Sequence, residues 1–320
     1  MAIADIHEDI IRTHILTKLD GKTLAAAGCA SSDLQSLCSD QKLWSEICSH
    51  NWPSTNHPLI TKTISSFTSG HRSFYSDTFS SPAYHLTTTS ATSSPQSTQL
   101  ISAVDLKYND ELVLSKIVST TTAPTDWFQT SPFRVDVLEP KEFVSSSIEV
   151  IGDEQSLLTN FEKNMKLSWV LIDPTRSRAM NMSSVKPVSV QRNWLTNDIE
   201  LTFGVVIVCG NEHVSCNIQV TCGVKQGGVE LNVNGLSLTV LDTDGKCLSG
   251  MGSMVILQEL LVAKRQCNSG EEMERERYDE YIRRRKERNE KTERRERRLD
   301  MAFLASGVAM FMAFWSFAFC

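Results

Sequence analysis

No two cysteines in this sequence have the Cys-x-x-Cys spacing of a zinc ribbon or a dithiol redox motif, although nine cysteines are present. They are odd in number and scattered: Cys29, Cys38, Cys48, Cys209, Cys216, Cys222, Cys247, Cys267 and Cys320. Positive charge is also short, with 32 Lys+Arg against 38 Asp+Glu and a formal charge of -6. That balance argues against nucleic-acid binding driven by bulk charge, and no nucleic-acid partner is expected. The N-terminal stretch carries acids and lacks the apolar core of a signal peptide, so a cytosol-facing chain with reduced thiols is expected. Gly-x-Ser-x-Gly elbows, Walker loops and dinucleotide fingerprints are missing too, and neither a cofactor, a metal nor a catalytic residue is expected. What remains is an ordinary globular composition: 41% hydrophobic and 22% charged over 320 residues. That excludes wholesale disorder and suffices for one large or two ordinary domains.

The N-terminal residues read as short helices. In IHEDIIRTHILTKL, residues 6 to 19, the apolar positions Ile6, Ile10, Ile11, Ile15, Leu16 and Leu19 form one helical stripe. Asp20-Gly21 ends it, Thr23 caps a helix from Leu24 to Cys29, and Ser32 or Asp33 caps a turn with Leu34 and Leu37. Asp40 caps a helix carrying Leu43, Trp44, Ile47 and Cys48. So short a segment cannot bury all these side chains by itself, so part of the stripe should meet a partner or the next domain.

This ordered series, from Ile6-x-x-Asp9-Ile10-Ile11 to Leu43-Trp44-x-x-Ile47-Cys48, resembles an F-box. The resemblance covers residues 5 to 50 and implies a three-helix hook that docks on the Skp-type adaptor of a cullin–RING ubiquitin ligase. It implies that Ile6, Ile10, Ile11, Ile15, Leu16, Leu19, Leu24, Leu37, Leu43, Trp44 and Ile47 serve adaptor binding. The chain departs from the family pattern at His7, where Pro is usual, and near Asp33, where an aromatic is usual. Both departures bear on adaptor affinity rather than on fold. The phrases HNWPS at 50 to 54 and HRSFYSDTF at 71 to 79 resemble a plant F-box subfamily with a membrane-like tail.

Residues 53 to 99 are rich in Ser and Thr and read as linker. From residue 100 to 266, short Val/Ile/Leu/Thr-rich runs predict about eight strands, hence an antiparallel sandwich or barrel. These runs include VSVQRNWL, DIELTFGVVIV, VSCNIQVTC, GVELNVNGLSLTVLD and MGSMVILQELLVA. Ile199, Leu201 and Phe203 share one face, while Asp173-Pro174, Gly227-Gly228, Asn234-Gly235 and Asp244-Gly245 mark turns. Asp242-x-Asp244-Gly245 lacks the later ligands of a calcium loop and reads as a turn. The phrase holding Trp169, Arg176, Arg178, Arg192 and Trp194 is similar to phloem lectin-like sandwiches. The alternative, favoured here, is that both tryptophans are core.

Residues 267 to 300 are dominated by charge, with 12 Lys+Arg and 11 Asp+Glu between Glu271 and Asp300. Pairs such as Glu280 with Arg284 and Glu290 with Arg294 predict a single solvated helix, a spacer of about 45 Å. Residues 301 to 320 carry no charge and are long enough, at about 30 Å, to span a bilayer. Arg294, Arg295, Arg297 and Arg298 fit its cytosolic side. Phe303, Leu304, Val308, Phe311, Phe314, Trp315 and Phe317 would face lipid, and Ala305, Ala309 and Ala313 would let two copies approach as a homodimer.

The expected fold class is α+β. A small helical F-box (1–52) precedes a linker (53–99), a β-rich sandwich-like body (100–266), a charged helix (267–300) and a transmembrane tail anchor (301–320). The expected function is a non-catalytic, membrane-anchored substrate receptor of an SCF-type ubiquitin ligase, partnered by the adaptor, a cullin and a protein target. The alternatives are a lectin-like or peptide-binding membrane protein with a vestigial F-box, and a cytosolic or nuclear location.

Overall fold

The computed structural model describes residues 7–82, 84–86, 99–121, 126–149, 154–210, 212–224, 230–266 and 270–319. Ile6, Gly227-Gly228, Cys267 and Cys320 lie outside the described residues. The architecture is α+β. It opens with α1 (Glu8–Ile10), a π-turn (Ile11–Ile15) and a 3-10 turn (Leu16–Lys18). Then come α2 (Gly21–Ala27), α3 (Ser32–Cys38), α4 (Gln41–Asn51), a second 3-10 turn (Pro53–Asn56), α5 (Pro58–Ser65) and α6 (Gly70–Phe79). Strands β1 (Ser81–Pro82), β2 (His85–Leu86), β3 (Gln99–Tyr108) and β4 (Glu111–Thr121) follow. Next are α7 (Asp126–Thr130), β5 (Arg134–Asp136), β6 (Val144–Glu149), α8 (Glu154–Asn164), β7 (Met165–Asp173), β8 (Arg178–Asn181) and β9 (Ser189–Arg192). The chain continues through β10 (Ile199–Cys209), β11 (Glu212–Val224), β12 (Glu230–Leu241), α9 (Gly250–Val262), β13 (Arg265–Gln266) and α10 (Glu271–Phe319).

The short helices are set by their caps. Asp40 accepts from the Lys42 N–H at 2.9 Å, as expected. The other caps lie elsewhere than expected. Asp20, not Thr23, caps α2 by accepting from the Thr23 N–H at 2.8 Å, and Ser31, not Ser32 or Asp33, caps α3 through the Leu34 N–H at 3.2 Å. The stretch expected as one helix over residues 6 to 19 is split into three turns. It is dense in β-branched residues, and the Thr13 and Thr17 hydroxyls bond back to carbonyls four residues earlier, which loosens a helix.

Residues 58–65 and 70–79, expected as linker, are helices. Phe67, Phe74 and Tyr75 from this stretch pack with Leu24, Leu43, Trp44 and Trp52 into one aromatic core. The Trp44 and Tyr75 rings sit 5.2 Å apart, and Trp52 meets Phe74 edge-on at 5.8 Å. Gly21 is required here by close approach, since a methyl group at that position would run into the Tyr75 ring.

Among the described residues, β4-β3-β7-β8 form a four-stranded sheet. A seven-stranded sheet is built on β2-β10-β11-β12-β5, with β6 beside β12 and β9 beside β10, and β1 pairs with β13. Leu100, Val104 and Leu106 of β3 and Leu167, Trp169 and Leu171 of β7 share a core with Leu201, Phe203 and Ile207 of β10. The opposite face of the four-stranded sheet, with Ile101, Ala103, Val170 and Ile172, packs on the helical unit. The period-2 alternation of these strands thus serves two cores, one on each face. The helical unit is the outer layer of a continuous stack rather than a module on a tether.

Two strand expectations need correction. MGSMVILQELLVA forms helix α9, capped by Ser249, because it is buried on several sides and its apolar run carries no strand alternation. Asn234-Gly235 is not a hairpin; β12 runs through it, with a register shift opposite Thr221/Cys222. The Asp244-Gly245 turn is present, with Asp242 Oδ1 accepting from the Asp244 and Lys246 N–H groups at 2.9 and 2.8 Å.

The charged helix is also corrected. It is not solvated from its start, because the first third of α10 lies on the outer face of β10. Tyr278 packs against Gly204, and Tyr281, only 1% exposed, donates its hydroxyl to the Asp242 carbonyl at 2.6 Å. Gly245, at φ +79°, passes so close to the Arg285 guanidinium that a side chain there would collide with it. From residue 289 to 319 every residue of α10 is exposed, a projection of about 46 Å.

Candidate functional site

The π-turn decides what the N-terminal unit presents. The Leu16 N–H bonds the Ile11 carbonyl, an i to i+5 step. That step superimposes Ile11 on Leu16 and Ile10 on Ile15. Ile11 and Leu16 enter the core, whereas Ile10 and Ile15 stay 50% and 43% exposed. A regular helix would have put Ile11 and Ile15 on one face.

Beside this turn a groove of about 380 Å³ runs between the 3-10 turn and α4. Leu16, Leu19, Leu43 and Ile47 form its apolar wall, and Lys18, Asp20, Glu46 and His50 line its rim. Leu19 and Ile47 are half-buried. The expected adaptor-binding set therefore divides. Ile10, Ile15, Leu19 and Ile47 are presented, but Ile11, Leu16, Leu24, Leu37, Leu43 and Trp44 are buried in the chain's own core. Trp44 is also tied down by donating Nε1–H to the Cys38 carbonyl at 2.7 Å. Trp44 therefore has a structural role in this core, and a side chain already desolvated has little surface left to bury. Asp33 is exposed on α3, and the exposed His7 accepts from the Asp9 N–H. Glu46 and His50 were not anticipated; they sit on the α4 face of Leu43 and Ile47, three residues after Leu43 and three after Ile47 respectively, which is the signal that places them.

A second presented feature lies on the sandwich. Trp169 is core, as favoured, but Trp194 is 91% and Leu195 74% exposed. They occupy the tight turn between β9 and β10. Asn193 Oδ1 accepts from the Leu195 and Thr196 N–H groups at 2.9 and 3.2 Å, and Asn193 Nδ2 donates to Glu200 at 2.7 Å. Trp194 is thus an aromatic carried out into water on a hydrogen-bonded turn. The expected grouping with Arg176 and Arg178 does not form; both line a cleft with Arg72 instead.

Electrostatics concentrates where α10 meets the sandwich. Arg284 Nη1 is 3.1 Å from His213 Nε2, so this nitrogen acts as acceptor and the ring is neutral. Burial, then the Arg284 charge, hold His213 below its ordinary pKa. Burial pushes the Glu274 carboxyl up to about 7. Arg275 pairs with Glu162, Lys186 with Glu271 at 2.9 Å, and Arg277 lies over the Tyr84 ring at 4.5 Å. Among the described residues no group of His, Cys, Asp or Glu could hold a metal ion, and the seven described cysteines are free. Also among them, α10 is the one helix long and apolar enough by length and composition to cross a membrane.

No family model and no solved structure matches the chain. Curated relatives do. F-box protein At2g27310 of Arabidopsis thaliana is 44% identical, over 99% of this chain and 96% of that protein. F-box protein At3g44326 of the same plant is 38% identical over 88% of this chain and 80% of its own length. Probable F-box protein At2g36090 of Arabidopsis thaliana is 39% identical over 97% of this chain and 91% of its own. Similarity of this extent takes in the sandwich and α10 as well as the N-terminal helices, and the chain belongs to the plant F-box protein family.

Proposed function

We propose that this chain is the substrate-receptor subunit of an SCF-type cullin–RING ubiquitin ligase, held at a membrane by residues 301–319 with its bulk in the cytosol. The observation that carries the reading is the exposed pair Ile10 and Ile15 beside the α4 groove, in a chain of the F-box family. Apolar side chains left in water next to a half-apolar groove are what a Skp-type adaptor would cover. The chain does no bond chemistry. It raises the effective concentration of a target near the ubiquitin-conjugating enzyme, and a cullin-bound complex supplies transfer.

The docked part of α10 runs along β10, with Tyr278 near Gly204 and Arg288 near Asp244, so it leaves the body past the Asp242–Lys246 turn. The Trp194 turn precedes Ile199, the opposite end of β10 and about 33 Å away. In this reading the free end of α10 spans the bilayer and the Trp194 turn meets the target on the side away from it.

The test is affinity purification of the full-length chain from detergent-solubilised, alkali-washed membranes, with adaptor and cullin blotted. Recovery of both supports the reading. Membrane recovery without adaptor would sink it and favour a lectin-like or peptide-binding protein with a vestigial F-box, to which the exposed Trp194 is also suited. A purely soluble chain that still binds adaptor would remove the anchor and leave a cytosolic or nuclear receptor.

A further inference from the structure

The four-stranded sheet ends on β4, and the direction of that strand's backbone groups follows from its neighbours. The Leu167 N–H bonds the Val185 carbonyl at 3.0 Å, and the Trp169 carbonyl accepts from the Met182 N–H at 2.8 Å, so both residues turn their backbone away from β3. Ser168 and Val170, which alternate with them, therefore face β3, opposite Asp105 and Ala103. The alternation carries across β3: Val104 and Ser102 face β4, opposite Lys116 and Val118. Ile117, Ser119 and Thr121 are left with N–H and C=O aimed outward. Among the described residues no backbone group bonds to them from that side.

A groove of about 770 Å³ runs along this edge, between residues 116–119 of β4 and the 136–142 connection from β5 to β6. Val118, Val137 and Leu138 give it an apolar side, and Lys116 pairs with Glu142 across it. Open edges are normally blunted by charge, proline or a covering segment. Lys116 is the one charged residue between Leu112 and Thr121, and Glu142 neutralises it. Ile117 to Thr121 carries neither charge nor proline and is rich in β-branched side chains, which suit a further strand. A second copy of β4 would bring its own 136–142 connection into collision, whereas a single strand would not. We propose that the β4 edge takes an extended segment of a partner protein as a fifth strand, antiparallel like every pair in that sheet. Its backbone pairs with Ile117, Ser119 and Thr121. Its residue opposite Val118 is aliphatic and meets Val137 and Leu138, and those opposite the exposed Ser119 and Thr121 are polar. The site uses neither the π-turn nor α4, so failure of this proposal leaves adaptor docking intact.

The test is fluorescence anisotropy of a labelled peptide of alternating valine and threonine, with a lysine at each end, added to the full-length chain in detergent. Saturable binding is expected. N-methylation of the threonines, whose N–H groups face β4 in this register, should abolish it. N-methylation of the valines, whose N–H groups face away, should leave it unchanged. Partition into micelles would not separate these two peptides. Ser119→Pro deletes one outward N–H, which a strand edge tolerates. It should weaken binding about tenfold, the loss of one hydrogen bond, with thermal unfolding nearly unchanged. The peptide pair keeps the test decisive if that variant fails to fold. Equal effects of the two methylation patterns would overturn the proposal, as would no saturable binding of the unmethylated peptide.

Discussion

Ser54 and Asp105 join the helical unit to the sandwich: the Asp105 carboxylate accepts the Ser54 N–H at 2.9 Å and the Ser54 hydroxyl at 2.6 Å. Ser115 adds a third donor at 2.7 Å, and Lys107 on the same strand donates to the His50 and Asn51 carbonyls at the end of α4. Asp105→Ala would leave buried donors without an acceptor. We expect a loss of about 2–3 kcal/mol, read as a lower urea midpoint with one transition rather than two. Two separated transitions would mean that the layers are independent.

The N-terminal residues should separate into structural and docking classes. Trp44→Ala empties a buried aromatic site and should cost about 3–5 kcal/mol, read by thermal unfolding. Ile10→Asp with Ile15→Asp should leave unfolding nearly unchanged, because both side chains are already in water. The same double variant should lose the adaptor in a pull-down. Retained adaptor would move docking away from the π-turn.

Trp194 and Leu195 make no contribution to the core, so Trp194→Ala with Leu195→Ser should alter stability by less than about 0.5 kcal/mol. Adaptor recovery should be unchanged. Target ubiquitination, followed by diglycine-remnant proteomics against the wild type, should fall. An unchanged remnant profile would remove this turn from target contact.

Tyr281 anchors α10. Tyr281→Phe removes one hydrogen bond, that to Asp242, and should cost about 1 kcal/mol. Tyr281→Ala should cost about 3–5 kcal/mol and expose the segment around Arg283–Arg285 to trypsin. Equal cleavage rates in wild type and Tyr281→Ala would mean that this part of α10 is not docked in solution.

The same contact should respond to pH in two opposed ways. Burial raises Glu274 from 4.5 to about 7, so between those values the folded chain holds more protons than the unfolded one. Its contribution is fully present at the low end and is lost as pH rises. His213 is lowered from 6.5, so below that value the unfolded chain binds more protons and stability falls as pH drops. Glu271, Arg277, Glu280, Arg284, Arg288 and His85 act on one or other of these two groups. Glu274→Gln should flatten the alkaline fall of the melting temperature, and His213→Gln the acid one. Unchanged profiles in both variants would place the pH dependence elsewhere.

Much of the fold was legible in local pattern. The alternation in DIELTFGVVIV is that of β10, with Leu201 and Phe203 in the core, and Asp40 caps α4 as its position predicts. The α5–α6 stretch was not legible, because Ser- and Thr-rich helices so short are stabilised by long-range contacts such as Tyr75 on Gly21 and Trp44, not by their own periodicity. The π-turn was hidden as well, since an i to i+5 bond leaves no signature in residue spacing and reassigns Ile11 and Ile15 to opposite environments.

By itself the sequence determined the α+β class, the F-box likeness of residues 5 to 50, the charged helix and the apolar stretch that follows it. These depend on composition and on contacts between near neighbours. Only the tertiary structure decided which apolar residues remain for a partner, because burial is a property of the assembled layers. It also decided that the charged helix is half strut: Tyr281 is one of a few apolar side chains in a charged run until it meets the Asp242 carbonyl, 39 residues earlier.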